Sequence, residues 1–166
     1  VPSGPLPIGV RNHSDNTYGL DLDWIFLRSY VDPDPVLVNG NVQENVSLSL
    51  KVFLEGSFNG TDMNTDLNAM TFIPLEQPYN VSPWLYPGEE SLTDLPNNEV
   101  VDWILIELRD ATDPASATPS TRIARQAALL LNNGNIVALD GSSPLAFHVH
   151  VEHQVYVVIY HRNHIG

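Results

Sequence analysis

From residue 45 the chain alternates. In NVSLSLKVFLEG (45–56), Val46, Leu48, Leu50, Val52 and Leu54 are separated by polar residues and Phe53. Successive side chains of a strand point to opposite faces, so this run predicts a strand with one face buried and one exposed. VVDWILIELRD (100–110) carries a different pattern. Trp103, Leu105, Glu107 and Arg109 fall on one face, and Asp102, Ile104, Ile106 and Leu108 on the other. Apolar residues on both faces predict a central strand covered on both sides over part of its length. LAFHVHV (145–151) and VYVVIYH (155–161) predict two more strands joined by a short polar link, and LDLDWIFLRSYV (20–31) an earlier one.

TRIARQAALLL (121–131) is ambiguous. Its Ala, Leu, Arg and Gln residues favour a helix. Its place directly before NNGNIVALDG favours a strand entering a hairpin, because Asn133–Gly134 is a strong turn signal. We read it as a strand, with Asp140–Gly141 marking the next turn. Pro74, Pro78, Pro83, Pro87 and Pro96 exclude a helix from the stretch between the alternating runs, which predicts short edge pieces in a long surface excursion. The start of the chain is rich in Pro, Gly, Asn and Ser, with Pro33, Pro35 and an Asn39–Gly40 turn signal further on. Residues 1–44 are therefore read as a linker or N-terminal strand segment, and 45–166 as the module. Short strands at close spacing without a long helix predict an all-β fold: an Ig-like antiparallel β-sandwich of Greek-key type with a long proline-rich loop.

Composition narrows the function classes. The 166 residues suit one domain, and 43% hydrophobic content suffices for a core. No run approaches the roughly 18–20 apolar residues of a membrane helix, so membrane insertion is not expected. No secretion signal is legible at the N-terminus, and Val1 reads as a mature or trimmed start. The net charge is −13, with Lys51 the sole lysine, and residues 1–113 hold eighteen of the twenty acids. A nucleic-acid partner needs a basic face, and anionic lipid would be repelled, so both are disfavoured. An acidic, Asn-rich surface suits solubility, cations and polar ligands such as glycans. There is no cysteine, which removes disulfides and thiolate chemistry without fixing the compartment.

Four groups of residues carry candidate chemistry. The C-terminal HRNH places His161, Arg162, Asn163 and His164 together after an apolar strand. The planar fork of Arg162 can be satisfied by a carboxylate on a neighbouring strand, Asp102 or Glu107, and Asn163 suits a tight turn. This structural reading, locking the last strand to VDWILIELRD, is the one we favour. The competing reading is a transition-metal site, since His148 and His150 share a strand face and His153, His161 and His164 are near in sequence. Calcium is the candidate cofactor, as a structural ion: Asp62, Asn64 and Asp66 alternate in FNGTDMNTD, although Leu67 stands where a calcium loop needs glycine. Glycan contact is the candidate activity of Tyr79, Trp84 and Tyr86, clustered in QPYNVSPWLYPG. Aromatics on a loop could form an exposed platform, or Trp84 could plug the end of the sandwich. Catalysis has no motif: there is no GxSxG, HExxH, P-loop or GxGxxG, and no opposed carboxylate pair. The sequons at Asn12, Asn45, Asn59 and Asn80 would matter only in a eukaryotic secretory protein.

Several stretches together, VSLSLKVFLEG, MNTDLN, IPLEQPY, VVDWILIELRD, NNGNIVALDG and YVVIYHRNHIG, span residues 45–166. In that order they resemble an uncharacterised β-rich module of large secreted and cell-surface proteins of Bacteroidetes-type bacteria, often with type IX sorting signals. The chain departs from that pattern at Asn133–Gly134, where Asp-Gly is usual, and in lacking a leucine and short strand after HRNH. The resemblance implies an extracellular or cell-surface location and carries no catalytic residue. The resulting expectation is a non-catalytic β-sandwich module of a secreted bacterial surface protein, serving adhesion, assembly or glycan contact. Its partners would be other domains of the same protein, neighbouring subunits or glycans. The alternative is a structural subunit of an extracellular filament or polymer assembled by strand addition.

Overall fold

A computed structural model describes residues 44–163, which lie within one compact unit spanning Asn39–Gly166. The strand expected at 20–31, the prolines and turn that follow it, the Asn12 sequon and His164 fall outside the described residues. In chain order the strands are β1 (Glu44–Leu48), β2 (Leu50–Lys51), β3 (Val100–Ala111), β4 (Arg122–Leu131), β5 (Asn135–Val137), β6 (Leu145–Val149) and β7 (Gln154–Tyr160). One helical turn, α1 (Asp66–Ala69), and a 3-10 turn at Pro119–Thr121 are the helices described. The fold is all-β and its described strand pairs are antiparallel.

A five-stranded sheet has the order β2-β5-β4-β3-β7, and β1 pairs with β6 in a two-stranded sheet. The long strand expected over 45–56 is therefore divided. Its ladder breaks at Ser49, and the chain passes from one sheet to the other. The alternation survives the break: Val46, Leu48, Leu50, Val52 and Leu54 all face one apolar cluster. Period-two patterning records which face is buried, not which strand supplies the hydrogen bonds.

β3 is central and covered on both sides. Ile104, Ile106 and Leu108 join Ala128 and Leu130 of β4 and Leu145, Phe147 and Val149 of β6 in the first cluster. Trp103 and Leu105 join Ala127, Leu129 and Leu131 of β4 in a second cluster on the opposite face. That second face is roofed by the proline-rich stretch, which runs over the surface as expected but turns a few side chains inward. Ile73, Tyr79 and Tyr86 are buried there, with Trp84, Leu92 and Leu95 packed around them. Backbone bonds from Gln77 N–H to Glu90 O (3.0 Å) and from Leu92 N–H to Leu75 O (2.8 Å) tie the stretch to itself. The indole N–H of Trp103 donates to Pro74 O at 2.7 Å and ties it to the sheet. Burying each such aromatic contributes about 1.5–3 kcal/mol. A sheet face as apolar as this one needs a cover, and Ile73, Tyr79, Tyr86 and their neighbours in this stretch supply it.

Residues 122–131 form β4, so the hairpin position outweighs helix propensity. The turn is tight: Gly134 N–H donates to Leu131 O at 2.9 Å, and Gly134 has φ +88°. A side chain there would also meet Val52 O and the Phe53 ring at 3.0 Å, so glycine is required twice over.

Candidate functional site

The ladder between β3 and β4 slips between Val100 and Asp102. This bulge breaks the alternation, so that Val100 packs on the second cluster and Val101 on the first. Beyond it Asp102 is fully buried. A buried carboxylate is stable only with partners, and Asp102 has three. Arg162 Nε donates to Oδ2 at 2.9 Å, His161 Nε2 lies 3.1 Å from the same oxygen, and the Trp103 N–H donates to Oδ1 at 2.8 Å. The Asn163 N–H reaches His161 Nδ1 at 3.4 Å, which fits the imidazole tautomer protonated on Nε2 and donating to Asp102. Burial by itself would raise the Asp102 pKa. The hydrogen bonds of His161 and Arg162, the guanidinium charge and the Trp103 N–H outweigh it and hold the carboxyl below its ordinary range.

Two further polar contacts surround this cluster. The Tyr79 hydroxyl donates to Trp103 O at 2.9 Å and lies 3.3 Å from Tyr160 O, joining the roof to β3 and β7. Burial pushes the Tyr79 phenol well above its usual pKa, the nearby Asp102 charge adding to the shift. Glu107, nearly as buried as Asp102, takes Arg109 rather than Arg162. The Arg109–Glu107 contact is 2.7 Å, and Arg122 and the Tyr160 hydroxyl approach at 3.5 and 3.4 Å. Of the two carboxylates proposed for Arg162, the structure places Asp102 beside it.

Asp102 and His161 also line a cavity of about 210 Å³ together with Leu54, Ser57, Leu67 and Val101. Ser, His and Asp in one lining invite comparison with a nucleophilic triad. In such a triad one ring nitrogen binds the carboxylate and the other takes the proton of the nucleophile. Here the second nitrogen faces the Asn163 N–H, and Ser57 Oγ donates to Leu54 O at 3.2 Å. The arrangement ties the end of β7 to β3.

The aromatic platform is not present in the form expected. Tyr79 is fully buried, Tyr86 is buried and Trp84 is half-buried with its ring edge-on to Tyr79. Tyr86 hydrogen-bonds Glu90, and the Arg125 guanidinium sits over its ring at 5.1 Å. The reason is the roof described above: these rings fill the second cluster rather than facing solvent.

In the loop proposed for calcium, Asn64 Oδ1 accepts from Asn59 Nδ2 at 3.0 Å, Asp66 begins α1, and Asn59 Oδ1 accepts the Thr61 and Asp62 N–H groups. His148 and His150 are exposed. His150 lies 3.7 Å from Glu152 and His153 3.6 Å from Asp110, whereas His161 is buried at Asp102. Among the described residues, no three His, Cys, Asp or Glu side chains gather as a metal site.

Two residues had no signal in the sequence reading. Asp110 accepts the Glu152 and His153 N–H groups at 2.7 and 2.9 Å and so pins the link between β6 and β7 to the end of β3. Those bonds, Glu152 first, keep its carboxyl below the ordinary range. Glu90 Oε1 accepts the Ala127 N–H at 3.1 Å, while Glu90 Oε2 is the one buried side-chain oxygen without a hydrogen-bond partner among the described residues. Both act on groups far away in sequence, which local patterns do not register. Comparison with known proteins finds no matching family model, no matching curated protein and no matching solved structure.

Proposed function

We propose that the chain is a non-catalytic, Ig-like β-sandwich module of Greek-key type, carried by a secreted bacterial surface protein and serving adhesion or assembly. The observation that carries this reading is the Asp102 cluster. The buried polar groups at the end of β7 are spent on one another: Asp102 on Arg162, His161 and Trp103, and His161 also on Asn163. Such a cluster fixes a strand end, which is a structural use of these groups. The sandwich assignment is supported by the first apolar cluster, which draws residues from both sheets. The extracellular location is supported by the sequence resemblance and the acidic surface. Glycan contact is the weaker part of the reading, because Tyr79 and Tyr86 are buried.

The test pairs stability with activity. Asp102→Asn and wild type are compared by urea denaturation and against panels of ester, peptide and glycoside substrates. A destabilised variant, with neither protein active, supports the reading. A hydrolytic activity that disappears in Asp102→Asn while the denaturation midpoint holds would sink it.

A further inference from the structure

The chain holds three Asn-Gly pairs: Asn39–Gly40, Asn59–Gly60 and Asn133–Gly134. The first lies outside the described residues. In such a pair the glycine nitrogen can attack the asparagine side-chain carbon, and the missing Cβ leaves the approach open. The reaction needs a free glycine N–H and a backbone with room to rearrange. The two described pairs differ on both counts. The Gly134 N–H donates to Leu131 O at 2.9 Å, and Gly134 O accepts the Val52 N–H at 2.9 Å. Gly134 is buried, with Val52 O and the Phe53 ring 3.0 Å from where a Cβ would stand. Asn59–Gly60 lies instead in the turn that closes the Phe58–Met63 bridge, where Asn59, Gly60 and Thr61 are all exposed. The Gly60 N–H has no hydrogen-bond partner among the described residues, and nothing stands within 4 Å of a Cβ built on Gly60. The Asn59 amide is held at both ends. Its Nδ2 donates to Asn64 Oδ1 at 3.0 Å, and its Oδ1 accepts the Thr61 and Asp62 N–H groups at 3.3 and 3.1 Å. Those two donors face the oxygen on which negative charge develops when a nitrogen attacks the adjoining carbon. Asn133 Oδ1 likewise accepts the Asn135 N–H at 3.0 Å, so the contrast between the pairs lies in their glycines.

We propose that Asn59 is a site of spontaneous covalent modification, losing its amide to water in the folded chain while Asn133 keeps its own. The Gly60 nitrogen gives its proton to hydroxide and bonds to Asn59 Cγ. The Cγ–Nδ2 bond breaks, and Nδ2 takes a proton from water and leaves as ammonia, closing a cyclic imide. Water then opens the imide. Opening at Cγ gives aspartate at position 59. Opening at the backbone carbonyl gives isoaspartate, with the chain running through the former side chain. The sum is amide plus water to acid plus ammonia, with no oxidant, reductant or enzyme. Either product adds a negative charge to a chain already at −13. Isoaspartate also lengthens the turn beside Met63, which is buried and whose N–H donates to Asn132 O at 2.8 Å. The site stands whether or not the module serves adhesion.

Peptide mapping by mass spectrometry tests this on the whole unmodified chain, incubated at mildly alkaline pH either folded or in urea. In the folded chain the Asn59 peptide should convert to paired aspartate and isoaspartate forms, faster as pH rises. Asn133 should convert at least about tenfold more slowly, because it must wait for the hairpin to open locally. In urea that gap should close, since both pairs are then the same dipeptide in an open chain. An Asn59 that keeps its amide in the folded chain would overturn the proposal. So would an Asn133 that converts as fast, a gap of equal size in urea, or aspartate formed without isoaspartate.

Discussion

Two carboxylates, Asp102 buried in β3 and Glu90 half-buried in the proline-rich roof, make opposite predictions at the level of the residue. Asp102 is enclosed by donors, so Asp102→Asn replaces a charge that Arg162 and His161 both use. Leaving Arg162 without its partner should cost about 3 kcal/mol in urea denaturation, the usual penalty for breaking a buried pair from one side. Glu90 has one oxygen engaged and one orphaned. Glu90→Gln keeps an acceptor for the Ala127 N–H and removes a charge, so its cost should stay within about 1 kcal/mol or turn favourable. Acid separates these groups further. Asp102, Asp110 and Asp140 all have pKa values below the ordinary 3.8 in the folded chain, Asp140 at about 2 through its bonds to Ser143 and Ser142. A depressed carboxyl stabilises the fold above its unfolded pKa and ceases to do so as pH falls through its folded one. The melting temperature should therefore hold from neutrality to about pH 5 and fall progressively below about pH 4. In Asp102→Asn the acid slope should be shallower, which melts at each pH would show.

The hairpin between β4 and β5 shows how the elements answer to sequence. Asn133–Gly134 marks the turn, and the left-handed residue is Gly134, not Asn133. Gly134→Ala should destabilise by roughly 1–2 kcal/mol, since a non-glycine residue strains at this φ. Contact with Val52 O and the Phe53 ring adds to the strain. Denaturant midpoints of this variant against wild type provide the check. Where a rule is local, the sequence reading of an element succeeds: the turn, the buried face of residues 46–54 and the double cover of β3 are all visible in side-chain order. It fails where the deciding partner is distant. Nothing in VSLSLKVFL shows that β1 bonds to β6 and β2 to β5. The aromatics of QPYNVSPWLYPG look like a surface platform until Trp103 and Leu105 are known to need a roof. Arg162 announces that it wants a carboxylate, but the choice of Asp102 over Glu107 depends on the bulge at Val100–Asp102 and on Arg109 reaching Glu107 first.

For the molecule as a whole, charge and connectivity set the behaviour. A net charge of −13 opposes compaction through self-repulsion. Raising ionic strength from about 0.01 to about 0.15 M shortens screening from about 30 to about 8 Å. The melting temperature should rise by a few degrees over that range, and thermal scans in sodium chloride would reveal a flat response if repulsion is unimportant. Connectivity acts on a different quantity, time. β1 is the earliest described strand, and its partner β6 lies about a hundred residues later, with Glu44 opposite Val149. At synthesis rates of about 5–20 residues per second, β1 leaves the ribosome on the order of 5–20 s before the strand that completes its sheet. The same segment continues into the other sheet, where β2 likewise waits for its partner β5. The nascent chain must therefore carry an unpaired, apolar-faced strand until β6 has been made, and its yield in a cell depends on what shields that strand during the wait.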